Sequence, residues 1–135
     1  MAGAFSDYLE NRTLDHFFGG TASTPAATLY VAFSTTAPTD AGGNVTEPVG
    51  NNYARVAVTN NATNFPAASG GVKTNGVAIL SGVASGSWGT ITHAAIYDAP
   101  SGGNFYGSSD LPASKTVGNL DTLNLAVGAL SITLT

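Results

Sequence analysis

The chain has 135 residues, of which 43% are hydrophobic and only 9% are charged, and its formal net charge is -4. This apolar, weakly charged composition excludes a disordered chain, and the total of four Lys and Arg residues is too small to neutralise a nucleic-acid backbone. The absence of cysteine excludes disulfides and thiolate metal sites, and no apolar run reaches the roughly 20 residues needed to cross a bilayer. We therefore expect one domain that has neither nucleic acid nor membrane as a partner.

The first predicted element is a helix over residues 4–18, and no other segment of the chain has a helical pattern. Ser6 is a favourable N-cap for this helix. Asp7 and Glu10 place carboxylates in the first turn, where they stabilise the positive end of the helix. The glycine pair at 19–20 ends the pattern.

The chain as a whole divides into three predicted parts: a helical arm over 1–20, a linker over 21–27 and a single β domain over 28–135. In the β domain, short runs of alternating apolar and polar residues predict strands, and Gly, Pro, Asn and Asp predict the turns between them. The predicted strands are 28–34, 53–59, 76–81, 88–98 and 104–107, followed by a C-terminal hairpin of 123–127 with 130–134. This spacing favours a mainly β fold, either an antiparallel sandwich or a jelly-roll-like small barrel, over a parallel α/β sheet.

The predicted strand over 88–98 has the clearest alternation. Successive side chains of a strand point to opposite faces of the sheet. Ala94 and Ile96 are therefore expected on one face, opposite Ile91 and Tyr97.

Patterns that indicate catalysis or metal binding are weak throughout the chain. His16 and His93 are the two histidines, whereas a zinc site needs three or four ligands such as His, Cys, Asp or Glu. His93 with Asp98 or Asp110 could be combined with a serine as a hydrolytic triad, but no Gly-x-Ser-x-Gly motif supports this combination. The eight acidic residues are scattered singly rather than paired for glycoside hydrolysis. We therefore predict a protein that is not an enzyme and that uses no cofactor or metal ion.

Large apolar residues cluster in the predicted arm. Phe5, Tyr8, Leu9, Phe17 and Phe18 give the helix an apolar surface. Two arrangements would bury this surface: the helix packs on the sheet of its own domain, or it docks on a neighbouring subunit. These five residues are the candidate partner-binding residues, and the sequence leaves the two arrangements open.

Short motifs along nearly the whole chain carry a resemblance to a known family. The motifs are Tyr8-Leu9-Glu10-Asn11, Leu14-Asp15-His16, Leu29-Tyr30-Val31-Ala32, Ala37-Pro38-Thr39-Asp40, Tyr53-Ala54-Arg55-Val56-Ala57-Val58, Trp88-Gly89-Thr90-Ile91-Thr92-His93, Ile96-Tyr97-Asp98, Lys115-Thr116-Val117-Gly118 and Leu130-Ser131-Ile132-Thr133-Leu134. Together they resemble a family of small structural proteins of tailed bacteriophages, often labelled phage tail fibre proteins. Small β-rich phage proteins of this size also serve as cement or decoration proteins on heads. The resemblance implies a role in the virion, and it brings no family catalytic residue with it.

Two virion roles follow from this resemblance. The first hypothesis is a capsid cement or decoration protein, which stabilises the head by binding the major capsid protein across capsomers on the outer shell. The mild acidity of the chain favours this exterior location over the DNA-lined interior, and the helical arm and the loops over 35–52 and 60–75 are the expected contacts. The alternative is a tail-fibre or baseplate component that contacts other virion proteins and a host receptor. In either role we expect a dimer or trimer. Of the two locations, the capsid exterior is favoured over the tail.

Overall fold

A computed structural model describes residues 3–134 as a mainly β structure. Its elements are β1 (Gly3–Ala4), α1 (Asp7–Phe17), β2 (Thr28–Ser34), β3 (Val56–Thr59), β4 (Val72–Thr74), β5 (Ile79–Leu80), β6 (Gly89–Tyr97), β7 (Phe105–Val117), β8 (Asn124–Leu125) and β9 (Ser131–Thr133). The strands form a four-stranded antiparallel sheet in the order β3-β2-β6-β7, a three-stranded sheet in the order β1-β9-β4, and the pair β5-β8. The predicted mainly β, sandwich-like fold is confirmed, and the described strands close no barrel.

The central strands of the four-stranded sheet, β2 and β6, have buried side chains on both faces. On β2, Leu29, Val31 and Phe33 point into the main core, as the alternation of this strand predicts. The opposite face carries a second, smaller cluster, which consists of Ala32, Ala95, Tyr97 and Phe105. Val45, from the loop between β2 and β3, packs against this second cluster. That loop therefore covers part of this face of the sheet.

An irregularity in β6 changes which of its residues face the main core. The pairing of β6 with β7 shifts between Ile91 and His93. Ile91 consequently belongs to the same core cluster as Ala94 and Ile96. The prediction that Ile91 lies opposite Ala94 and Ile96 is wrong, because a bulge inverts the alternation of a strand.

The C-terminal strands do not form the predicted hairpin with each other. Instead β8 pairs with β5, while β9 pairs with β4 and, in parallel, with β1. The buried side chain of Asn75 bonds to both C-terminal segments. Its amide nitrogen donates to the carbonyl of Ala126 at 3.0 Å, and its amide oxygen accepts from the Leu130 N–H at 2.9 Å. The side chain of Asn75 thus bonds to backbone groups of both segments, and these groups are then not available for hydrogen bonds between the two strands of a hairpin.

The N-terminal residues join the two layers before the helix begins. Ala4 pairs with Thr133 in β9, and the next residue, Phe5, bridges to Gly107 in the edge strand β7. A glycine is needed at position 107, because a Cβ there would lie 2.5 Å from the carbonyl oxygen of Ala4. The chain therefore enters α1 from a fixed direction.

The helix is shorter than predicted, Asp7–Phe17 rather than 4–18. The residues before Ser6 are extended instead, because they pair with the strands β9 and β7. The prediction of Ser6 as the N-cap is confirmed: its Oγ accepts a hydrogen bond from the Leu9 N–H at 3.2 Å. The same hydroxyl donates to the carbonyl of Phe105 at 2.5 Å, which fixes the start of the helix to β7. No helix in the described part of the chain is long and apolar enough to span a bilayer.

Candidate functional site

An apolar groove of about 340 Å³ opens beside the start of α1. Its walls are mostly apolar side chains from well-separated parts of the sequence. They include Phe5, Leu9, Leu29, Phe65, Ile96, Leu130, Ile132 and Leu134. Among the described residues that line the groove, Lys73 of β4 is the one with a charged side chain. An apolar group that enters this groove would contact core residues and leave water.

Three of the five candidate partner-binding residues pack on their own domain. Phe5 packs against the main core, and Leu9 lines the apolar groove. Tyr8 stacks on Tyr106 of β7, with ring centroids 6.0 Å apart. The first half of the helix therefore takes the first of the two predicted arrangements, in which it packs on its own sheet.

The other two candidates lie at the far end of the helix and face solvent. Phe17 is 72% exposed and Phe18 is 83% exposed, and Leu14, one turn earlier, is 54% exposed. The ring of His16 contacts the ring of Phe17 edge-on, with centroids 4.9 Å apart, but most of the surface of Phe17 stays exposed. We refer to Leu14, Phe17 and Phe18 as the helix end. An exposed cluster of this kind is typical of an interaction site.

Arg12 ties the helix to the segment that follows it. Its Nη1 donates to the hydroxyl of Tyr8 at 3.0 Å, and its Nε and Nη2 donate to the Oγ of Ser23 at 3.2 Å and 2.7 Å. Because Tyr8 is itself stacked on the sheet, these bonds connect the helix to β7 as well. The helix end is thus held in one direction rather than on a loose tether.

The loop between β2 and β3 is held by an ion pair. Arg55 binds Glu47 in bidentate fashion, with Nε to Oε1 at 3.0 Å and Nη2 to Oε2 at 2.8 Å, and the Tyr53 hydroxyl donates to the same carboxylate at 2.6 Å. Burial by itself would raise the pKa of the Glu47 carboxyl, but the hydrogen bonds from Arg55 and Tyr53 outweigh it and hold this pKa below its usual range. Arg55 also donates to the carbonyls of Ala99 and Gly102, so one guanidinium joins this loop to the turn after β6.

Two of the residues considered for catalysis come together in the structure, and one does not. The Nε2 of His93 lies 3.1 Å from Oδ1 of Asp110, and its Nδ1 lies 2.7 Å from the Oγ1 of Thr92. Asp98 lies elsewhere and accepts hydrogen bonds from the backbone and side chain of Asn104, at 2.7 Å and 2.8 Å.

The serine next to His93 has a structural role. Ser34 is the cross-strand partner of His93 on β2 and is fully buried. Its Oγ donates to the carbonyl of Thr36 at 2.7 Å and accepts from the N–H of Thr46 at 3.0 Å. A hydroxyl that is out of solvent and bound to backbone does not serve as the nucleophile of a triad.

The two histidines also lie apart from any cluster of metal-ligand side chains. Within residues 3–134, no three His, Asp or Glu side chains approach closely enough to hold a metal ion. His16 lies at the end of the helix, with its Nδ1 2.9 Å from the carbonyl oxygen of Thr21.

Sequence analysis did not predict the apolar groove. Phe65 lies in what was predicted to be a polar loop, and Lys73 and Thr74 belong to the unpredicted strand β4. The available signal was the alternation of Leu130, Ile132 and Leu134, which predicted an apolar face without saying what would lie against it. Only the pairing of segments distant in sequence brings the walls together.

Residues 4–133 match the family model Gp80, which is described as Podophage GP4 fiber I protein gp80. The matched range includes α1, the helix end and nearly all of the described strands. No curated protein sequence matches the chain.

Proposed function

The chain belongs to the Gp80 family, that of the podophage GP4 fiber I protein gp80, and from this membership we propose that it is a structural subunit of a tail-associated fibre. The resemblance to phage structural proteins labelled as tail fibre proteins is confirmed. A fibre protein is a component of the virion and associates with other virion proteins. The proposal takes the alternative of the two sequence-based hypotheses, and the capsid-cement and host-receptor roles stay predictions.

The family membership carries the fibre proposal, and the exposed helix end is the structural observation that supports docking on another subunit. If a fully exposed phenylalanine offers about 200 Å², Phe17 and Phe18 together leave roughly 300 Å² of mainly apolar surface in water. At about 25 cal/mol per Å², burial of this surface against a partner contributes roughly 7–8 kcal/mol before the costs of association. A subunit that is built into a fibre gains this contribution on assembly, whereas a free monomer does not.

We propose that the role is non-catalytic. His93 and Asp110 are cross-strand partners on β6 and β7, and their contact serves to connect these two strands where the pairing becomes irregular. Neither side chain lines the apolar groove.

Stoichiometry in purified virions tests the location. Quantitative mass spectrometry should give a ratio of this chain to the major capsid protein of a few per cent or less, as expected for a fibre that is present in few copies per virion. A ratio near one would overturn the fibre proposal and support a capsid cement protein.

Variants of the helix end test the docking role. The double variant Phe17→Ser/Phe18→Ser should fold normally, because both side chains are exposed, yet it should be depleted in virions at least tenfold relative to wild type. Val127→Ser is the matched control, because Val127 is 66% exposed but lies between β8 and β9, outside the segments that are expected to make contacts. Equal incorporation of the double variant and the control would remove the helix end from the proposal.

A further inference from the structure

We propose that the helix end of one copy binds in the apolar groove of the next copy, so that subunits associate head to tail. The inference rests on the proposed function in one respect, since it takes the helix end as the docking element of the fibre subunit. It goes further by naming the partner as a second copy of this chain and by naming the surface that receives it.

The groove has the size and lining that a phenylalanine anchor requires. Buried cavities of about 150 Å³ lined by Leu, Ile and Phe stay dry and bind benzene. A groove of about 340 Å³ with similar walls has room for two phenyl rings. The chain itself exposes two such rings, those of Phe17 and Phe18, and anchors that fill apolar pockets dominate the binding energy of protein interfaces.

The helix end does not reach the groove of its own chain. Leu9 lines the groove, and Phe17 lies eight residues further along the same helix. At 1.5 Å of rise per residue this separation is about 12 Å along the helix axis. Neither Phe17 nor Phe18 lines the groove of its own chain. Because Arg12 and Tyr8 fix the helix to the sheet, the two exposed rings stay available to a second copy.

The charges on the two surfaces are complementary. Asp15 is exposed on α1 between Leu14 and Phe17, and Lys73 is the charged residue at the groove. Each copy carries a net charge of -4, so association through most of the surface brings like charges together. Docking of the helix end in the groove instead places a carboxylate beside an ammonium group.

The two contact surfaces are different, so the interface is heterologous. Each copy offers one helix end and one groove, and a bound pair keeps one free surface of each kind. Such contacts continue from copy to copy until they close as a ring or extend as a filament. The expected dimer or trimer would correspond to the smallest closed rings.

A mixing experiment with two variants tests this geometry. Phe17→Ser/Phe18→Ser removes the helix end, and Ala68→Trp fills the groove from an exposed position at its edge. In sedimentation velocity the wild type should associate, each variant alone should be monomeric, and their equimolar mixture should form a 1:1 dimer that grows no further. Wild type that stays monomeric up to about 1 mM, variants that still associate, or a mixture that stays monomeric would each overturn the proposal.

A charge exchange gives an independent test in which both surfaces stay apolar. Asp15→Lys and Lys73→Glu should each weaken association about two- to fivefold, and the double variant should recover the wild-type constant. Absence of recovery overturns the assigned pairing of the two surfaces. These measurements use the isolated protein, so their outcome is separate from the virion stoichiometry that tests the fibre role itself.

Discussion

Asn75 is the buried polar residue whose replacement tests our account of the fold most directly. Its amide nitrogen donates to the carbonyls of Val77 and Ala126 at 3.0 Å each, its amide oxygen accepts from the Leu130 N–H at 2.9 Å, and 1% of the residue is exposed. Asn75→Ala leaves the buried Leu130 N–H and the partly buried Val77 carbonyl without these partners, whereas the Ala126 carbonyl keeps the Ala129 N–H at 2.9 Å. Each buried polar group that loses its partner costs about 1–3 kcal/mol, and water that enters the vacated space offsets part of this. We therefore expect a loss of about 2–4 kcal/mol, out of a total stability of about 5–15 kcal/mol.

Urea unfolding measures this loss, and Trp88 provides the signal because it is buried and is the single tryptophan of the chain. With an m-value of about 2 kcal/mol/M, the midpoint should fall by about 1–2 M. Asn124→Ala is the matched control: Asn124 is exposed on β8, and its replacement should change stability by less than about 0.5 kcal/mol. A loss below about 1 kcal/mol for Asn75→Ala, with an unchanged m-value, would refute the view that this side chain connects the two C-terminal segments.

Two further predictions concern the loop between β2 and β3 and the N-terminal strand. The lowered pKa of Glu47 means that its stabilising contribution is fully present above the ordinary value of 4.5 and is lost as the pH falls through the folded-state pKa. The stability gap between wild type and Glu47→Gln should therefore narrow between pH 7 and pH 3 in urea titrations, and a constant gap would contradict the assignment. Gly107→Ala should displace the N-terminal strand, because the new Cβ would lie 2.5 Å from the Ala4 carbonyl oxygen, and the amides of α1 should exchange at least tenfold faster with deuterium. Gly118→Ala, whose Cβ would meet its nearest neighbour at 3.5 Å, is the control, and equal protection of α1 in both variants would argue against the anchoring role of this strand.

Local signals predicted those parts of the structure that depend on neighbours in sequence. Ser6 was identified as the N-cap because a hydroxyl three residues before a helical N–H is sufficient for that contact. The strand β2 was predicted with its observed bounds, since its apolar residues alternate without interruption. Such features are determined within a few residues of chain.

Other features depend on contacts between distant segments, and sequence analysis missed them. β7 continues to Val117, although strand was predicted only over 104–107, because pairing with β6 stabilises a polar run that has little strand pattern of its own. The prediction of a C-terminal hairpin was wrong because the side-chain amide of Asn75, about 50 residues away, bonds to the Ala126 carbonyl and the Leu130 N–H. Phe5 is a third example. It was predicted in the helix, but it directly follows β1, which pairs with residues 132–133 of β9.

The parallel pairing of β1 with β9 also determines when the three-stranded sheet can form during biosynthesis. Residues 3–4 are synthesised before their partners at 132–133, which are added almost 130 residues later. At about 5–20 residues per second, the N-terminal strand waits roughly 7–25 s for its place in the sheet. Until then the apolar groove lacks the wall that residues 130–134 provide, so a nascent chain has no complete site for the phenylalanines of another copy. Association through the proposed contact therefore requires chains in which residues 130–134 have already joined the sheet.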